Sequence, residues 1–204
     1  DPSTAKDTPG LTLPARDITV VHRSDGSGTS YIWCDFLAKV SPEYAKTAGV
    51  ATPVNCPVGL GGKGNEGVAG LVSQTPGSIG YVELIYATQN RISYGSVRNL
   101  EGEFVKATVE TVTAAAAAAA KEMPADFRVS ITHPPGKGVY PVSSFTWLLF
   151  YQNPEDTKRS RIMVDFMKWA LTDGQKYAPD LGYAPLPEPV VELEMAALGK
   201  IRVK

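Results

Sequence analysis

The stretch that decides the fold is Ile18-Thr19-Val20-Val21-His22-Arg23-Ser24-Asp25-Gly26-Ser27-Gly28-Thr29-Ser30. Its first four residues are all β-branched, which predicts a short buried strand of a parallel sheet. Two glycines then predict a tight turn, and the hydroxyl side chains around them are typical of a helix start. The first N–H groups of such a helix have no partner inside it, and the helix dipole is positive there. The junction is therefore a candidate anion-binding site.

Within this stretch, several side chains are candidate anion ligands. Arg23 can offer a bidentate guanidinium fork to an oxyanion, and Asp25 can hold that fork in place. Ser27 and Thr29 add hydroxyl donors, and Gly28 lets the backbone come close to a ligand. A simpler interpretation is also open, in which Ser27 is only a helix N-cap and Arg23 and Asp25 form a surface ion pair. The arginine just upstream of the turn favours the anion.

The composition bounds the class of protein. The chain has 204 residues, of which 43% are hydrophobic and 20% charged, and this suits one large or two small globular units. The formal net charge of −1 gives no electrostatic footprint for nucleic acid or an anionic membrane. No run of 18 apolar residues is present in the sequence, so no membrane span is predicted.

The sequence contains no pattern that is typical of a catalytic site or a metal site. Cys34 and Cys56 have no spacing typical of metal ligands. They could pair in an oxidising compartment or remain two small buried residues. His22 and His133 are isolated, and no base stands near Ser27 in the sequence to make it a nucleophile. The sequence therefore predicts a protein that is not an enzyme and that uses no metal or cofactor.

A second glycine-rich string is Gly59-Leu60-Gly61-Gly62-Lys63-Gly64, which fits the G-x-G-x-x-G pattern of dinucleotide-binding loops. The strand predicted before it, residues 54–58, contains Pro57 and does not open the domain, unlike a dinucleotide-binding unit. We interpret the string as a loop that packs closely beneath the anion site. A helix over residues 65–74 and a strand over residues 79–84 follow, which gives the β-α-β order of an α/β fold.

The remaining segments predict supporting structure. Residues 1–16, rich in Pro, Thr and Asp, predict an extended lead-in. Seven consecutive alanines predict a helix over residues 109–122. Residues 142–151 predict a strongly apolar strand, and residues 161–171 predict an amphipathic helix.

Three ordered motifs carry a resemblance to a known family. The stretch VVHRSDGSGTS at residues 20–30 resembles the phosphate-binding segment of the PstS family, the periplasmic phosphate-binding proteins of bacterial ABC transporters. GGKGNEGVA at residues 61–69 and TPGSIGYVE at residues 75–83 are similar to family motifs in the same order. YPVSSFT at residues 140–146 is a looser match. The resemblance extends from about Thr8 to about Leu198 and covers nearly the whole chain.

The resemblance implies an α/β fold of the type II periplasmic-binding-protein-like class, with two lobes and an incomplete first lobe. Residues 1–141 would form part of the second lobe, which carries the phosphate loop. Residues 142–204 would be the segment that returns to the first lobe. The N-terminal third or so of a full-length member has no counterpart here. The family also implies a periplasmic or otherwise extracytoplasmic location.

The resemblance also assigns roles around inorganic phosphate. Arg23 would donate from its guanidinium, Ser27 and Thr29 would give hydroxyl and backbone donors, and Gly28 would give a backbone N–H. Asp25 would pair with Arg23 rather than touch phosphate. In the family, the other ligands come from N-terminal segments that this chain lacks, among them an aspartate that accepts the proton of hydrogen phosphate.

The resemblance, together with the absence of a counterpart to the N-terminal third of a family member, suggests two functions. The first is phosphate binding as the extracytoplasmic solute-binding component of an ABC phosphate transporter, complemented by an N-terminal chain or segment. Its expected partners are phosphate, the membrane subunits of the transporter or a larger assembly, and a complementing chain or a second copy. The alternative is a structural or interaction subunit that has kept the fold and lost transport.

Overall fold

The computed structural model describes residues 2–52, 56 and 58–203. It contains eight α-helices, five short strands and two 3₁₀ turns within those residues. In chain order these are α1 (Pro2–Asp7), β1 (Thr19–Arg23), α2 (Gly28–Val40), α3 (Pro42–Thr47), β2 (Leu60–Gly62), α4 (Gly64–Gln74), β3 (Ser78–Gly80), α5 (Leu84–Gln89), β4 (Val97–Arg98), β5 (Phe104–Val105), α6 (Val109–Ala120), α7 (Thr157–Leu171), the 3₁₀ turns Asp173–Tyr177 and Pro179–Leu181, and α8 (Glu188–Leu198).

A parallel sheet of three strands, in the order β2-β1-β3, is the centre of the molecule. In the register of this sheet, Val21 lies opposite Leu60 on one side and Gly80 on the other. Val21 is fully buried, as the β-branched run predicts for the middle strand of a parallel sheet. All three strands end at the same edge, and the loops that follow β1 and β2 meet there.

Helix α4 packs directly on this sheet because β2 ends in glycine. A Cβ atom on Gly62 would lie 2.6 Å from the backbone nitrogen of Val68, so only glycine allows this approach. Val68 is fully buried and Ala69 nearly so. The predicted helix over residues 65–74 is confirmed. The strand predicted over residues 54–58 lies largely outside the described residues, and β2 itself begins at Leu60.

Other predicted elements differ in their bounds. The extended lead-in predicted over residues 1–16 is wrong in part, because α1 occupies Pro2–Asp7. The alanine-rich helix α6 is confirmed at Val109–Ala120. Helix α7 begins at Thr157, four positions before the prediction, because the Asp156 carboxylate accepts a hydrogen bond from the Arg159 N–H at 2.9 Å and caps the first turn.

The strand predicted over residues 142–151 is absent from the described structure, in which these residues have no regular secondary structure and pair with no described strand. Their apolar side chains face solvent, with Leu149 95% and Tyr151 85% exposed. Phe166 and Trp169 on the adjoining helix α7 are also exposed. The part of the chain from residue 142 onward therefore carries a large apolar surface that the described residues leave uncovered.

Both cysteines are free thiols in the structure. Cys34 is buried in α2, and the Tyr44 hydroxyl donates to its Sγ at 3.1 Å. Burial raises the pKa of the Cys34 thiol. Among the described helices, none is both long enough and apolar enough to cross a bilayer.

Candidate anion-binding site

The carboxyl end of β1 leads through residues 24–27 into α2, and the candidate ligands are brought together at this junction. In open α/β sheets, ligands bind beyond the carboxyl ends of the parallel strands. Each predicted site residue lies at this edge: Arg23 closes β1, Asp25 lies in the turn, and residues 27–29 begin the helix.

Arg23 is held by Asp25 through two parallel hydrogen bonds. Arg23 Nε donates to Oδ1 at 2.8 Å and Nη2 donates to Oδ2 at 2.7 Å. The guanidinium holds the pKa of Asp25 well below its usual range, and the Gly64 N–H adds a further hydrogen bond to Oδ1 at 3.1 Å. The Arg23 side chain is only 10% exposed. Its Nη1 hydrogens stay available for an anion, because no acceptor among the described residues takes them.

The start of α2 leaves several donors without acceptors. Ser27 is the N-cap, and its Oγ accepts from the Ser30 N–H at 3.1 Å while its carbonyl accepts from the Tyr31 N–H at 3.1 Å. The Ser27 N–H donates to the Thr52 carbonyl at 3.2 Å. Within the described part of the chain, the N–H groups of Gly28 and Thr29 and the hydroxyl proton of Ser27 find no acceptor. These donors, together with the helix dipole, suit an oxyanion.

Gly28 leaves room beside these donors. A Cβ atom built on Gly28 would meet no heavy atom within 4 Å, so the space on the side-chain side of this glycine is open. The N-cap interpretation of Ser27 is confirmed, and it is compatible with the anion interpretation, because the cap uses the Ser27 oxygen and leaves its proton free.

The glycine loop of residues 61–64 supports the site from the side of α4. Gly64 has a φ of +71°, and a Cβ there would lie 2.6 Å from Glu66 Oε2. Its N–H donates to Asp25, which fixes the carboxylate that holds Arg23. The glycines of the G-x-G-x-x-G string are thus explained by packing and by this contact, as the interpretation of a supporting loop predicts.

Two side chains near the site escaped the sequence analysis. The Tyr81 hydroxyl accepts from the Arg23 N–H at 3.4 Å and lies 2.7 Å from the buried Ser30 Oγ, while the Tyr81 ring stacks on Trp33 with centroids 5.8 Å apart. Glu83 accepts from the Thr29 hydroxyl at 3.5 Å. Both residues lie in the TPGSIGYVE motif, which is the signal that could have found them.

The histidines take no part in the site. His22 Nδ1 lies 3.0 Å from the Arg23 carbonyl oxygen, and the His133 ring packs edge-on against Phe36 with centroids 5.8 Å apart. Burial lowers the pKa of His133. Among residues 2–52, 56 and 58–203, no cluster of three or more His, Cys, Asp or Glu side chains is placed to hold a metal ion.

A comparison with family models identifies the superfamily of the chain. The model described as the PBP superfamily domain matches residues 5–174, so the chain belongs to the PBP superfamily.

Curated proteins that are similar to this chain include several phosphate-binding proteins named PstS. The chain is 44% identical to the phosphate-binding protein PstS of Xylella fastidiosa (strain Temecula1) over 184 residues, which are 90% of this chain and 50% of that protein. It is 42% identical to PstS of Pasteurella multocida over 204 residues, which are 100% of this chain and 59% of that protein. The chain thus spans about half the length of the curated relatives that it matches.

The fold is also that of a solved structure, a high-affinity periplasmic phosphate-binding protein (PfluDING) bound with phosphate. The TM-score is 0.64 at 23% identity, and the match covers 95% of this chain and 58% of the other. The predicted resemblance and the predicted α/β periplasmic-binding-protein fold are therefore confirmed.

Proposed function

We propose that this chain binds inorganic phosphate as part of the extracytoplasmic solute-binding component of an ABC phosphate transporter. The observation that carries the proposal is the set of unsatisfied donors at the start of α2 beside a guanidinium that Asp25 holds in place. Curated relatives named phosphate-binding protein PstS support phosphate as the anion. A periplasmic or extracytoplasmic location belongs to the same proposal.

In this proposal, each ligand has a separate task. Arg23 donates from its Nη1 side, and the N–H groups of Gly28 and Thr29 donate from the helix start. The Ser27 hydroxyl donates because its oxygen is already used as an N-cap. Asp25 does not touch the anion; its carboxylate accepts from Arg23 and from the Gly64 N–H. A charge-assisted hydrogen bond to such an anion contributes about 1.5–3 kcal/mol.

We infer that these donors form one half of a phosphate cage. Residues 1–141 would supply the lobe with the phosphate loop, and residues 142–204 would belong to the other lobe. The backbone N–H groups of residues 144–151 find no acceptor within the described part of the chain, and Leu149 and Tyr151 are exposed. A strand-forming segment that pairs with residues 144–151 would satisfy both features. Such a segment would come from an N-terminal chain, from the same polypeptide or from a second copy.

The alternative function is that of a structural or interaction subunit that has lost transport. The exposed apolar surface around Leu149 favours it, since such surfaces mark protein contacts. The two functions differ in a measurable way. If the chain binds phosphate, a single substitution among residues 23–29 should abolish phosphate binding. If it is an interaction subunit, it should bind no phosphate, and the same substitution should leave its contact with a partner unchanged.

Binding rather than catalysis is the activity that we propose. The curated relatives are named as binding proteins. Turnover of a phosphomonoester that is lost in Ser27→Ala would contradict this part of the proposal.

The experiment is a calorimetric titration with phosphate, and with sulfate as the second anion, after endogenous phosphate has been removed. Arg23→Ala should lower phosphate affinity at least a hundredfold, as the loss of two charge-assisted hydrogen bonds at about 1.5–3 kcal/mol each implies. Arg128→Ala is the matched control, because Arg128 forms a similar bidentate pair with Asp126 at 2.8 and 2.6 Å but is 85% exposed. Equal affinity in wild type and Arg23→Ala would refute the assignment.

A further inference from the structure

The two cysteines of the sequence, Cys34 and Cys56, take no part in the candidate anion site. Cys34 lies on α2, seven positions after the N-cap Ser27. Because seven residues make almost two helical turns, Cys34 and Ser27 lie near the same face of the helix, and both are buried. Cys56 is half-buried and lies in the segment that joins α3 to β2.

The segment that carries Cys56 is attached to the start of α2 and to the sheet. The Thr52 carbonyl accepts a hydrogen bond from the Ser27 N–H at 3.2 Å. At the other end, Gly59 lies so close to β1 that a Cβ atom on it would clash with a backbone carbonyl. Cys56 is four residues from Thr52, a stretch that spans at most about 14 Å. Cys34 lies about 10 Å along α2 from the same point of attachment, so Cys56 is within reach of it.

Tyr44 of α3 connects the two thiols. Its hydroxyl donates to Cys34 Sγ at 3.1 Å. Burial raises the pKa of Tyr44, and the hydrogen bond to Cys34 and the nearby Cys34 and Cys56 thiols raise it further. Burial and the nearby Cys34 thiol also raise the pKa of Cys56. Because such charge effects weaken with distance, the three side chains form one cluster between α2, α3 and the segment before β2.

We propose that Cys34 and Cys56 form an intramolecular disulfide in an oxidising compartment, and that this bond joins the segment of residues 48–56 to α2. The oxidising compartment rests on the proposed extracytoplasmic function. The thiols are reduced in the structure. On oxidation, each thiol gives up one proton and one electron as the Sγ–Sγ bond forms. A disulfide oxidant such as oxidised glutathione takes up both, and its own S–S bond breaks to give two thiols.

The bond forms most readily while the chain folds. The thiolate is the attacking species, and burial raises the pKa of the Cys34 thiol, which is only 1% exposed in the fold. In the unfolded chain both thiols are open to exchange. The disulfide closes a loop from residue 34 to residue 56, and this reduces the conformational freedom of the unfolded chain and stabilises the fold.

The test begins with the full-length protein, unfolded and reduced, which is refolded in a mixture of reduced and oxidised glutathione. Remaining thiols are alkylated, and tryptic peptides are measured by mass spectrometry without reduction. Trypsin places Cys34 in residues 24–39 and Cys56 in residues 47–63. These two peptides should appear as one linked species, two hydrogen atoms lighter than their sum, that reduction separates. Alkylation of both cysteines, or linkage of either to another chain or another cysteine, would overturn the inference.

Thermal unfolding tests whether the bond supports the native fold. The linked wild type should melt at least about 5 °C above the same protein after reduction. Cys56→Ser, which cannot form the bond, is the control and should melt at the same temperature with and without reductant. A linked protein that melts no higher than the reduced one would also count against the inference. Phosphate takes no part in either measurement, so a chain that binds no phosphate would remove the proposed function and leave the disulfide in place.

Discussion

Replacing Ser27 with aspartate separates the two roles of this residue, the helix N-cap and the anion donor. Aspartate caps helices about as well as serine, and its carboxylate can accept the Ser30 N–H hydrogen bond that Ser27 Oγ accepts at 3.1 Å. The same carboxylate would occupy the place of the anion beside the N–H groups of Gly28 and Thr29. Ser27→Asp should therefore keep the fold and abolish phosphate binding.

The magnitude follows from the local geometry. A carboxylate about 4 Å from a bound anion opposes it by about 4 kcal/mol at an effective dielectric constant near 20. Loss of the hydroxyl donor adds about 1.5–3 kcal/mol. Even if these free energies add only in part, affinity should fall at least about a thousandfold. One strong N-cap replaces another, but Ser27 is buried, so desolvation of the carboxylate should lower the free energy of unfolding by about 1–3 kcal/mol.

The assay combines phosphate calorimetry with thermal unfolding. Ser41→Asp is the matched control, because Ser41 caps α3 in the same way, with its Oγ accepting from the Tyr44 N–H at 3.1 Å. This control should keep both phosphate affinity and melting temperature. Phosphate affinity within tenfold of wild type in a well-folded Ser27→Asp protein would refute the placement of the anion at this loop.

Three further substitutions probe the loop and its support. Gly28→Ala adds a methyl group in open space beside the donors, so it should weaken phosphate binding without lowering the melting temperature, and an unchanged affinity would contradict the site. Asp25→Asn should lower the melting temperature at neutral pH. Because the pKa of Asp25 is depressed in the fold, the stability that its carboxylate contributes is complete above the unfolded pKa and is lost as the pH falls through the folded pKa. The difference in melting temperature from wild type should therefore shrink in acid, and a difference that stays constant with pH would contradict the role of this ion pair. Gly62→Ala should destabilise the fold by about 1–3 kcal/mol in urea unfolding, because its Cβ would lie 2.6 Å from the Val68 nitrogen, whereas Gly70→Ala, with open space around it, is the control that should not.

The junction between β1 and α2 could be predicted because its determinants are local. The β-branched run of residues 18–21, the glycines and the hydroxyl side chains specify strand, turn and helix start within 13 residues of one another. The N-cap at Ser27 and the pair of Arg23 with Asp25 both lie within that stretch, and both are present in the structure. Phosphate as the anion came from the resemblance and not from these residues.

What the sequence could not show are the contacts that join distant segments. The Tyr81 hydroxyl meets the Arg23 N–H across 58 positions, and Asp25 meets the Gly64 N–H across 39. Periodicity and caps carry no information on such pairs. The short helix α1 was missed because proline, threonine and aspartate suggest an extended chain, although Pro2 can occupy the first turn of a helix.

The segment of residues 142–151 is a second case in which the sequence does not reveal the contact partner. Its apolar composition predicts a strand, and the structure forms none over these described residues. Its partner is not encoded in its own pattern, and none of the described residues supplies one. The division of the chain at residue 141 between two lobes stays a prediction.

The most direct measurement is a phosphate titration followed by NMR of the backbone amide groups, up to millimolar phosphate, in wild type and Arg23→Ala. If the anion sits at the start of α2, the amide resonances of Gly28 and Thr29 should shift with saturation in the wild type, because these N–H groups lack an acceptor in the described structure. The same resonances should stay fixed in Arg23→Ala at those concentrations. Resonances of Gly28 and Thr29 that do not move in the wild type, or that move equally in both proteins, would contradict the account.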